Sequence, residues 1–338
     1  MDRDAGTLTP ARILRIAVLG GTGFVGRRLS AALTALGHEV VRVARHEDGG
    51  AQPVRMLDLA TADVGAVAGL LSPCDVIVNT AGGMWGLKDD QMAGANLTLV
   101  EKVLAAAGSL PHRPRMVQFG SVHEYGIAPV GVSMSEDDEP RPVNAYARVK
   151  LECALAVARA TEEGVVDGVT LRAGNITGAR QPPASLLGVV AAELSAASRE
   201  GRTAVLRMKS LGALRDFVNL SDAVEAIVTA ATIPELPARV FNIGTGEATS
   251  AREMVQRLIE VSGVPAELVE TEPATEETTW QRMRIDRARL LLDWSPRYDL
   301  NDGIKELWED HACGREPDRP LSPPGGGPVM TARAARAE

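Results

Sequence analysis

An α/β fold, a doubly wound parallel sheet carrying a smaller mixed α/β lobe, is predicted by three observations. Short β-rich apolar runs alternate with longer stretches at helical period through the first half of the chain. A glycine-rich turn directly follows the first of these runs. Beyond about residue 175 the alternation gives way to a proline-bearing loop, amphipathic helices and isolated short strands.

Taken in order, strands are predicted at Arg15 to Leu19, Glu39 to Ala44, Val54 to Met56, Asp75 to Asn79 and Arg115 to Phe119. Helices with one apolar face fall between them at Phe24 to Leu36, Ala62 to Leu71 and Leu87 to Ala107. A helix over Tyr146 to Ala160 leads into a sixth strand, Gly168 to Leu171. This repeated strand-helix order predicts a nucleotide-binding domain over 13–174. Residues 175–313 are expected to form mainly a substrate-binding lobe, with strands at Ala204 to Arg207, Phe217 to Asn219 and Val240 to Asn242, some of them returning to the sheet. Residues 1–12 and 314–338 are expected to be disordered: the second stretch is rich in Pro, Gly, Arg and Ala and cannot bury enough to fold.

Composition removes several function classes. The chain has 338 residues, 45% of them apolar, enough for a sizeable core. Its net charge of -8 disfavours nucleic acid and anionic membranes as bulk partners, since both attract basic surfaces. Cys74, Cys153 and Cys313 are odd in number and widely spaced, which fits neither a disulfide framework nor a zinc cluster, so no metal is expected. With no apolar run of about 18 residues and an acid-bearing N-terminus, the expected setting is the reducing cytoplasm.

The turn Gly20-Gly21-Thr22-Gly23-Phe24-Val25-Gly26 opens a helix after the first strand. Gly20, Gly23 and Gly26 permit a tight turn, close approach of backbone to a pyrophosphate, and close packing of helix on strand, the arrangement of a Rossmann-type sheet. The anion then rests on the helix N-terminus, met by the N–H groups of the loop from Thr22 to Val25. The second strand ends in Ala44-Arg45-His46, with no acid at its tip, so Arg45 is the candidate for a 2′-phosphate, with Arg27 as helper. That choice points to NADP(H). Asp58 with Leu59 after the third strand is assigned to the adenine, and Thr80-Ala81-Gly82 after the fourth to the cofactor ribose.

Tyr146 and Lys150 stand four apart, on one helix face. An ammonium beside a phenol stabilises phenolate, so Tyr146 can give or take a proton. Ser121, just after the fifth strand, supplies a hydroxyl to hold a carbonyl oxygen. His123 is open to two readings, a second acid or donor at the substrate, or a structural histidine.

These pieces together resemble an extended short-chain dehydrogenase/reductase, of the nucleotide-sugar epimerase, dehydratase and ketoreductase superfamily, over nearly the whole chain to about Trp308. The shared pieces are the glycine loop, Thr80-Ala81-Gly82, Asn96, the segment Gly120 to Gly126, Tyr146 with Lys150, Leu171 to Gly178, Arg215 to Asp222, Phe241 to Gly246 and Leu292 to Pro296. The resemblance implies a catalytic set of Ser121, Tyr146 and Lys150, with Lys150 also on the nicotinamide ribose and Asn96 in the cofactor site. It implies substrate contacts at Met84, Asn175 and Arg215, the last two to a nucleotide diphosphate; arginine suits phosphate because its planar fork donates paired bonds. For Arg215 the alternative is a structural pair with Asp216 or Asp222.

Within the superfamily, Val122-His123 stands where a 4,6-dehydratase carries an Asp-Glu pair, which disfavours dehydration. The Ser121-x-x-Glu124-Tyr125-Gly126 form resembles reductases of nucleotide-linked 4-keto-6-deoxy sugars. The expected function is therefore NADPH-dependent ketone reduction with Tyr146 as proton donor. The alternatives are a nucleotide-sugar epimerase and, from another class, an NADP-sensing regulator that keeps the fold without the chemistry. The chain departs from the family's pattern before Asp286, where no Arg followed by Gly-Asp occurs, leaving Arg282 as a phosphate candidate. Val149 replaces the usual Ser before the catalytic Lys. The helices at Leu87 to Ala107 and Tyr146 to Ala160 are the family's dimer seam, so a homodimer is expected.

Overall fold

The computed structural model describes residues 12–84, 87–271 and 279–312. The expected tails over 1–12 and 314–338 fall almost wholly outside them, as does Cys313. From the N-terminal side run β1 (Arg15–Leu19), α1 (Phe24–Ala35), β2 (Glu39–Ala44), β3 (Val54–Met56), α2 (Val64–Leu71) and β4 (Val76–Asn79). Next come α3 (Asp89–Ala93), a π-helical turn at Gly94–Thr98, α4 (Leu99–Ala107), β5 (Arg115–Ser121), α5 (Ala145–Glu162) and β6 (Asp167–Ala173). The remaining elements are β7 (Asn175–Thr177), α6 (Leu186–Glu200), β8 (Ala204–Met208), β9 (Leu214–Arg215), β10 (Phe217–Asn219), α7 (Leu220–Thr232), β11 (Val240–Ile243), β12 (Thr249–Ser250), α8 (Ala251–Ser262), β13 (Ala266–Glu270), β14 (Trp280–Gln281), α9 (Asp286–Leu292) and α10 (Leu300–Ala312).

The main sheet has the order β11-β6-β5-β4-β1-β2-β3, and all its pairs are parallel. Apolar side chains cover both faces, as a parallel sheet requires. One face packs Ile16, Val18, Val78 and Val117 against α1 and α7; the other packs Ala17, Leu19, Ile77 and Met116 against α2, α4 and α5. The strand order reverses between β1 and β4, so the crevice above their carboxyl ends is the ligand position that this topology creates.

A second core, around Leu187, Leu194, Leu206, Phe217, Met254 and Leu258, holds α6, α8 and α10 together with β8 and β13. The second half of the chain does not stay in that lobe: β11 extends the sheet beside β6, and α7 lies on its face. The helix expected over Leu87 to Ala107 is broken by the π turn. Asn96 lies inside that turn and donates to the carbonyls of Met92 and Gly83, both at 2.9 Å. Such bulges insert one residue into the helical ladder, which periodicity does not report. No described helix is long and apolar enough to cross a membrane.

Candidate active site

The glycine loop is pressed against its neighbours. Gly20 takes φ +78, and a Cβ there would stand 2.8 Å from the Ala81 backbone. At Gly26 a Cβ would run into the Gly20 carbonyl, with Thr80 Oγ1 only 2.7 Å away. These positions need glycine because loop, strand end and helix meet there. Helix α1 starts at Gly23 with no side-chain cap and no acid in its first turn, so its first N–H groups and positive dipole end are available to an anion. Thr22, Gly23 and Phe24 line a cavity of 530 Å³ together with Arg27 and Arg180. Val25 turns its side chain into the core, leaving its backbone N–H for the ligand. These features fit a dinucleotide pyrophosphate.

At the adenosine end the structure adds a residue that the sequence reading missed. Asp48, four residues past β2, folds back onto the strand tip, where its carboxylate pairs with Arg42 and, at 3.1 Å, with Arg27. Arg42 is itself buried and donates to the Gly21 carbonyl at 2.9 Å. Burial would raise the Asp48 carboxyl, but the Arg42 bond, the Gly50 N–H and Arg27 outweigh it, and the group sits below its usual value. An acid therefore does stand at the strand tip, supplied by the loop. Arg45 is exposed and makes no ion pair among the described residues, whereas Arg27 is already engaged. Asp58 is exposed, with one carboxylate oxygen accepting from Ala60 N at 3.0 Å; Leu59 beside it is buried.

Beyond β4, Thr80 Oγ1 donates to the Leu19 carbonyl at 2.8 Å, and Ala81 N donates to the Asn79 side chain at 3.1 Å. The Asn96 amide holds Gly83 from below, and its oxygen lies against Gly82. Asn96 is 3% exposed, so it holds this loop in place, with Met84 half-buried at the loop's far end.

Ser121 closes β5 and caps the 3-10 turn Val122–Tyr125 that follows. Its Oγ accepts from His123 N at 3.3 Å, leaving the hydroxyl proton free to be donated. Ser121 N donates in turn to Glu124 Oε1 at 2.8 Å, completing a capping box. Asn144 caps α5, which places Tyr146 in its first turn and Lys150 one turn further along the same face. Lys150 is 7% exposed and donates to the Phe119 carbonyl on β5. The His123 ring meets Tyr146 edge-on, with centroids 6.1 Å apart. Burial, and then the positive charge of Arg215, push the His123 imidazole down to about 4, so it is neutral at ordinary pH. Ser121, His123 and Tyr146 thus share one face of the crevice, with Lys150 behind.

Under this turn lies a buried polar lattice with no counterpart in the sequence reading. Glu124 is fully buried and accepts from Arg172 Nε at 2.8 Å; the Arg172 guanidinium stacks 4.4 Å above the Tyr125 ring, and Tyr125 donates to Asn242 at 2.7 Å. Removing one member would strand the others in an apolar setting. The S-x-x-E spacing from Ser121 to Glu124 was the available signal.

On the substrate side, Asn175 opens β7 half-buried, its side-chain amide making no hydrogen bond among the described residues. Arg215 pairs with neither Asp216 nor Asp222. Asp216 is buried and accepts from Thr245 N at 2.7 Å and Gly246 N at 3.0 Å, while Asp222 accepts from Arg297 N at 2.7 Å. The Arg215 guanidinium donates only to Leu214 O, Thr279 O and Thr279 Oγ1, so a half-buried cation has no carboxylate partner among the described residues. Arg282 is tied to Ser133 Oγ and the Gly131 carbonyl, both at 2.7 Å, and lies over the Trp280 ring.

Residues 16–244 match the NAD dependent epimerase/dehydratase family. The chain belongs to this family. Within it, a dTDP-6-deoxy-L-talose 4-dehydrogenase (NAD(P)(+)) from Kitasatospora kifunensis is 47% identical over 87% of this chain and 94% of that one. A UDP-glucose 4-epimerase from Mycolicibacterium smegmatis is 29% identical over 88% of this chain and 98% of its own. Among solved structures, RMD from Pseudomonas aeruginosa complexed with NADPH superposes with a TM-score of 0.73 at 20% identity, covering 89% of this chain and 99% of that one. The Thermus thermophilus UDP-glucose 4-epimerase complex with NAD gives 0.76 at 24%, over 89% and 99%. These likenesses establish the epimerase/dehydratase fold and an NAD(P)-dependent enzyme.

Proposed function

We propose that this enzyme reduces a ketone at C4 of a nucleotide-linked 6-deoxy sugar with NADPH, and runs the reverse oxidation when product and NADP+ are supplied. Bound NADPH supplies the hydride to the carbonyl carbon. Ser121 donates a hydrogen bond to the ketone oxygen, and Tyr146 O–H delivers the proton that makes it an alcohol. The phenolate left behind is stabilised by Lys150 and reprotonated from solvent, which closes the balance. Gly20, Thr22, Gly23, Phe24, Val25 and Gly26 hold the pyrophosphate, Arg45 the 2′-phosphate, Asp58 and Leu59 the adenine, and Thr80, Ala81, Gly82 and Asn96 shape the ribose site. Met84, Asn175 and Arg215 meet the sugar nucleotide.

The observation that carries this reading is the half-buried Arg215 on strand β9, with no acidic partner among the described residues and close enough to the catalytic turn for its charge to act on the His123 imidazole. An isolated buried cation is costly unless an anion meets it, and a nucleotide diphosphate is such an anion. The similarity to the Kitasatospora dehydrogenase supports the 4-position and the deoxysugar. An epimerase reading is favoured by the similarity to UDP-glucose 4-epimerases, and cofactor consumption separates the two.

The test follows NADPH absorbance with a panel of dTDP-linked 4-keto-6-deoxy sugars, NADH in parallel. Stoichiometric loss of NADPH supports net reduction; product without cofactor loss supports epimerisation and overturns the proposal. Tyr146→Phe is expected to lower kcat at least a hundredfold while NADPH still binds. Full turnover in that variant would remove Tyr146 as the proton donor.

A further inference from the structure

Gln281 lies on β14, far along the chain from the glycine loop and the catalytic turn, yet its side chain is 1% exposed and reaches that turn. Its Nε2 donates to the Gly126 carbonyl at 2.7 Å and stands 3.3 Å from His123 Nδ1. The amide orientation follows from Gly126: a carbonyl oxygen only accepts, so the NH2 end must face it. One amide hydrogen is used there, and the other points at His123 Nδ1. That nitrogen must then be an acceptor, which places the imidazole proton on Nε2.

The opposite end of the same amide reinforces this. Gln281 Oε1 is buried with no hydrogen-bond partner among the described residues. A side chain serving stability alone would not leave a sealed acceptor unpaired. His123 Nε2 has no partner among the described residues either, while its ring stands edge-on to Tyr146. Its backbone N–H is already given to Ser121 Oγ. His123 therefore carries one uncommitted group, an N–H donor.

We propose that Gln281 is a positioning residue that locks His123 as the neutral Nε2–H form, so that His123 offers a fixed hydrogen-bond donor to an oxygen substituent on the sugar carbon next to the ketone. Ser121 and Tyr146 take the ketone oxygen, and a donor on the same turn reaches a neighbouring hydroxyl. The imidazole then acts as a specificity contact for a vicinal hydroxyl and transfers no proton, which sets it apart from the acid role open on sequence grounds. The donor role rests on the sugar-ketone reading above; the tautomer does not.

Two measurements separate these parts. In the full-length resting enzyme, ¹⁵N NMR of the imidazoles, with His123 assigned by its loss in His123→Phe, is expected to show Nδ1 unprotonated and Nε2 protonated across neutral pH. A protonated Nδ1 overturns the proposal whatever the substrate. Kinetically, Gln281→Met and His123→Phe are each expected to lose about tenfold in kcat/KM for the hydroxylated sugar, the worth of one neutral hydrogen bond, with KM for NADPH unchanged. Gln281→Met added to His123→Phe is expected to cost nothing more. Independent, multiplying losses would assign Gln281 a merely structural role and overturn it. With the 3-deoxy analogue as substrate, wild type and variants are expected to converge; a persistent tenfold gap removes the vicinal hydroxyl as the target. No turnover of any 4-keto sugar by wild type, with the tautomer as expected, would sink the reduction reading and leave Gln281's positioning role standing.

Discussion

Asp48→Ala is expected to turn the enzyme's cofactor preference toward NADPH. In this structure the Asp48 carboxylate fills the guanidinium forks of Arg27 and Arg42 at the tip of β2, where the adenosine ribose of a dinucleotide belongs. A ribose 2′-hydroxyl can donate to that carboxylate, so Asp48 suits NADH. A 2′-phosphate held by Arg45, as proposed above, suffers its negative charge. Removing the carboxylate lifts that negative charge from beside Arg27 and Arg42, and a charged contact of this kind contributes about 1.5–3 kcal/mol. A gain of about 1.4–2.8 kcal/mol corresponds to a 10–100-fold rise in the NADPH/NADH ratio of kcat/KM. The assay is initial-rate kinetics with both cofactors at saturating sugar. Thermal unfolding in parallel is expected to show a clear loss, since the Asp48 and Arg42 side chains are 5% and 3% exposed and the buried guanidinium loses its carboxylate partner. A ratio that stays within twofold of wild type, or moves toward NADH, would refute the assignment of this loop to cofactor choice.

Arg215→Met is expected to raise KM for the sugar nucleotide about 10–100-fold with kcat little changed, because the role proposed for its charge is to meet the substrate away from the reacting carbon; steady-state kinetics read this directly. The folded-state His123 sits at about 4, below its unfolded value of 6.5. The unfolded chain therefore takes up a proton in that window and the folded one does not, so stability falls as pH drops from 6.5 toward 4, by about 3 kcal/mol from this group. Denaturant midpoints of His123→Phe are expected to show a shallower decline over the same range, and an identical slope would assign the pH dependence elsewhere. Leu155 is 47% exposed on α5, the helix expected at a dimer seam. Leu155→Glu is expected to convert a dimer to a monomer in light scattering, and an unchanged mass would place any interface on another face.

The sheet was legible because its strands are mostly short apolar runs and its helices carry one apolar face, so period and run length suffice to find them. β1, β2 and β3 begin and end where the residue pattern places them. The glycine loop was legible for the same local reason: Gly20 and Gly26 answer steric demands from residues close by, whose consequence is a residue type. Tyr146 and Lys150 announce themselves by one turn of helix. Local spacing therefore determined the glycine loop and the helix face that carries Tyr146 and Lys150.

Tertiary structure alone decided the rest. Asp48 reaches the β2 tip because its loop doubles back, and nothing in Ala44-Arg45-His46 reports a carboxylate arriving from four residues further on. Arg172 meets Glu124 across the β5 and β6 pairing, and Gln281 meets His123 across more than one hundred and fifty residues,. Arg215, adjacent in sequence to Asp216, does not pair with it because successive residues point to opposite sides: Asp216 turns inward to the backbone of Thr245 and Gly246, and Arg215 turns toward Thr279. Periodicity fixes which face a residue occupies, whereas a charge's partner depends on which distant segment folds over that face. That second choice is made by packing, and it is what set Arg215 toward Thr279 and Gln281 against His123.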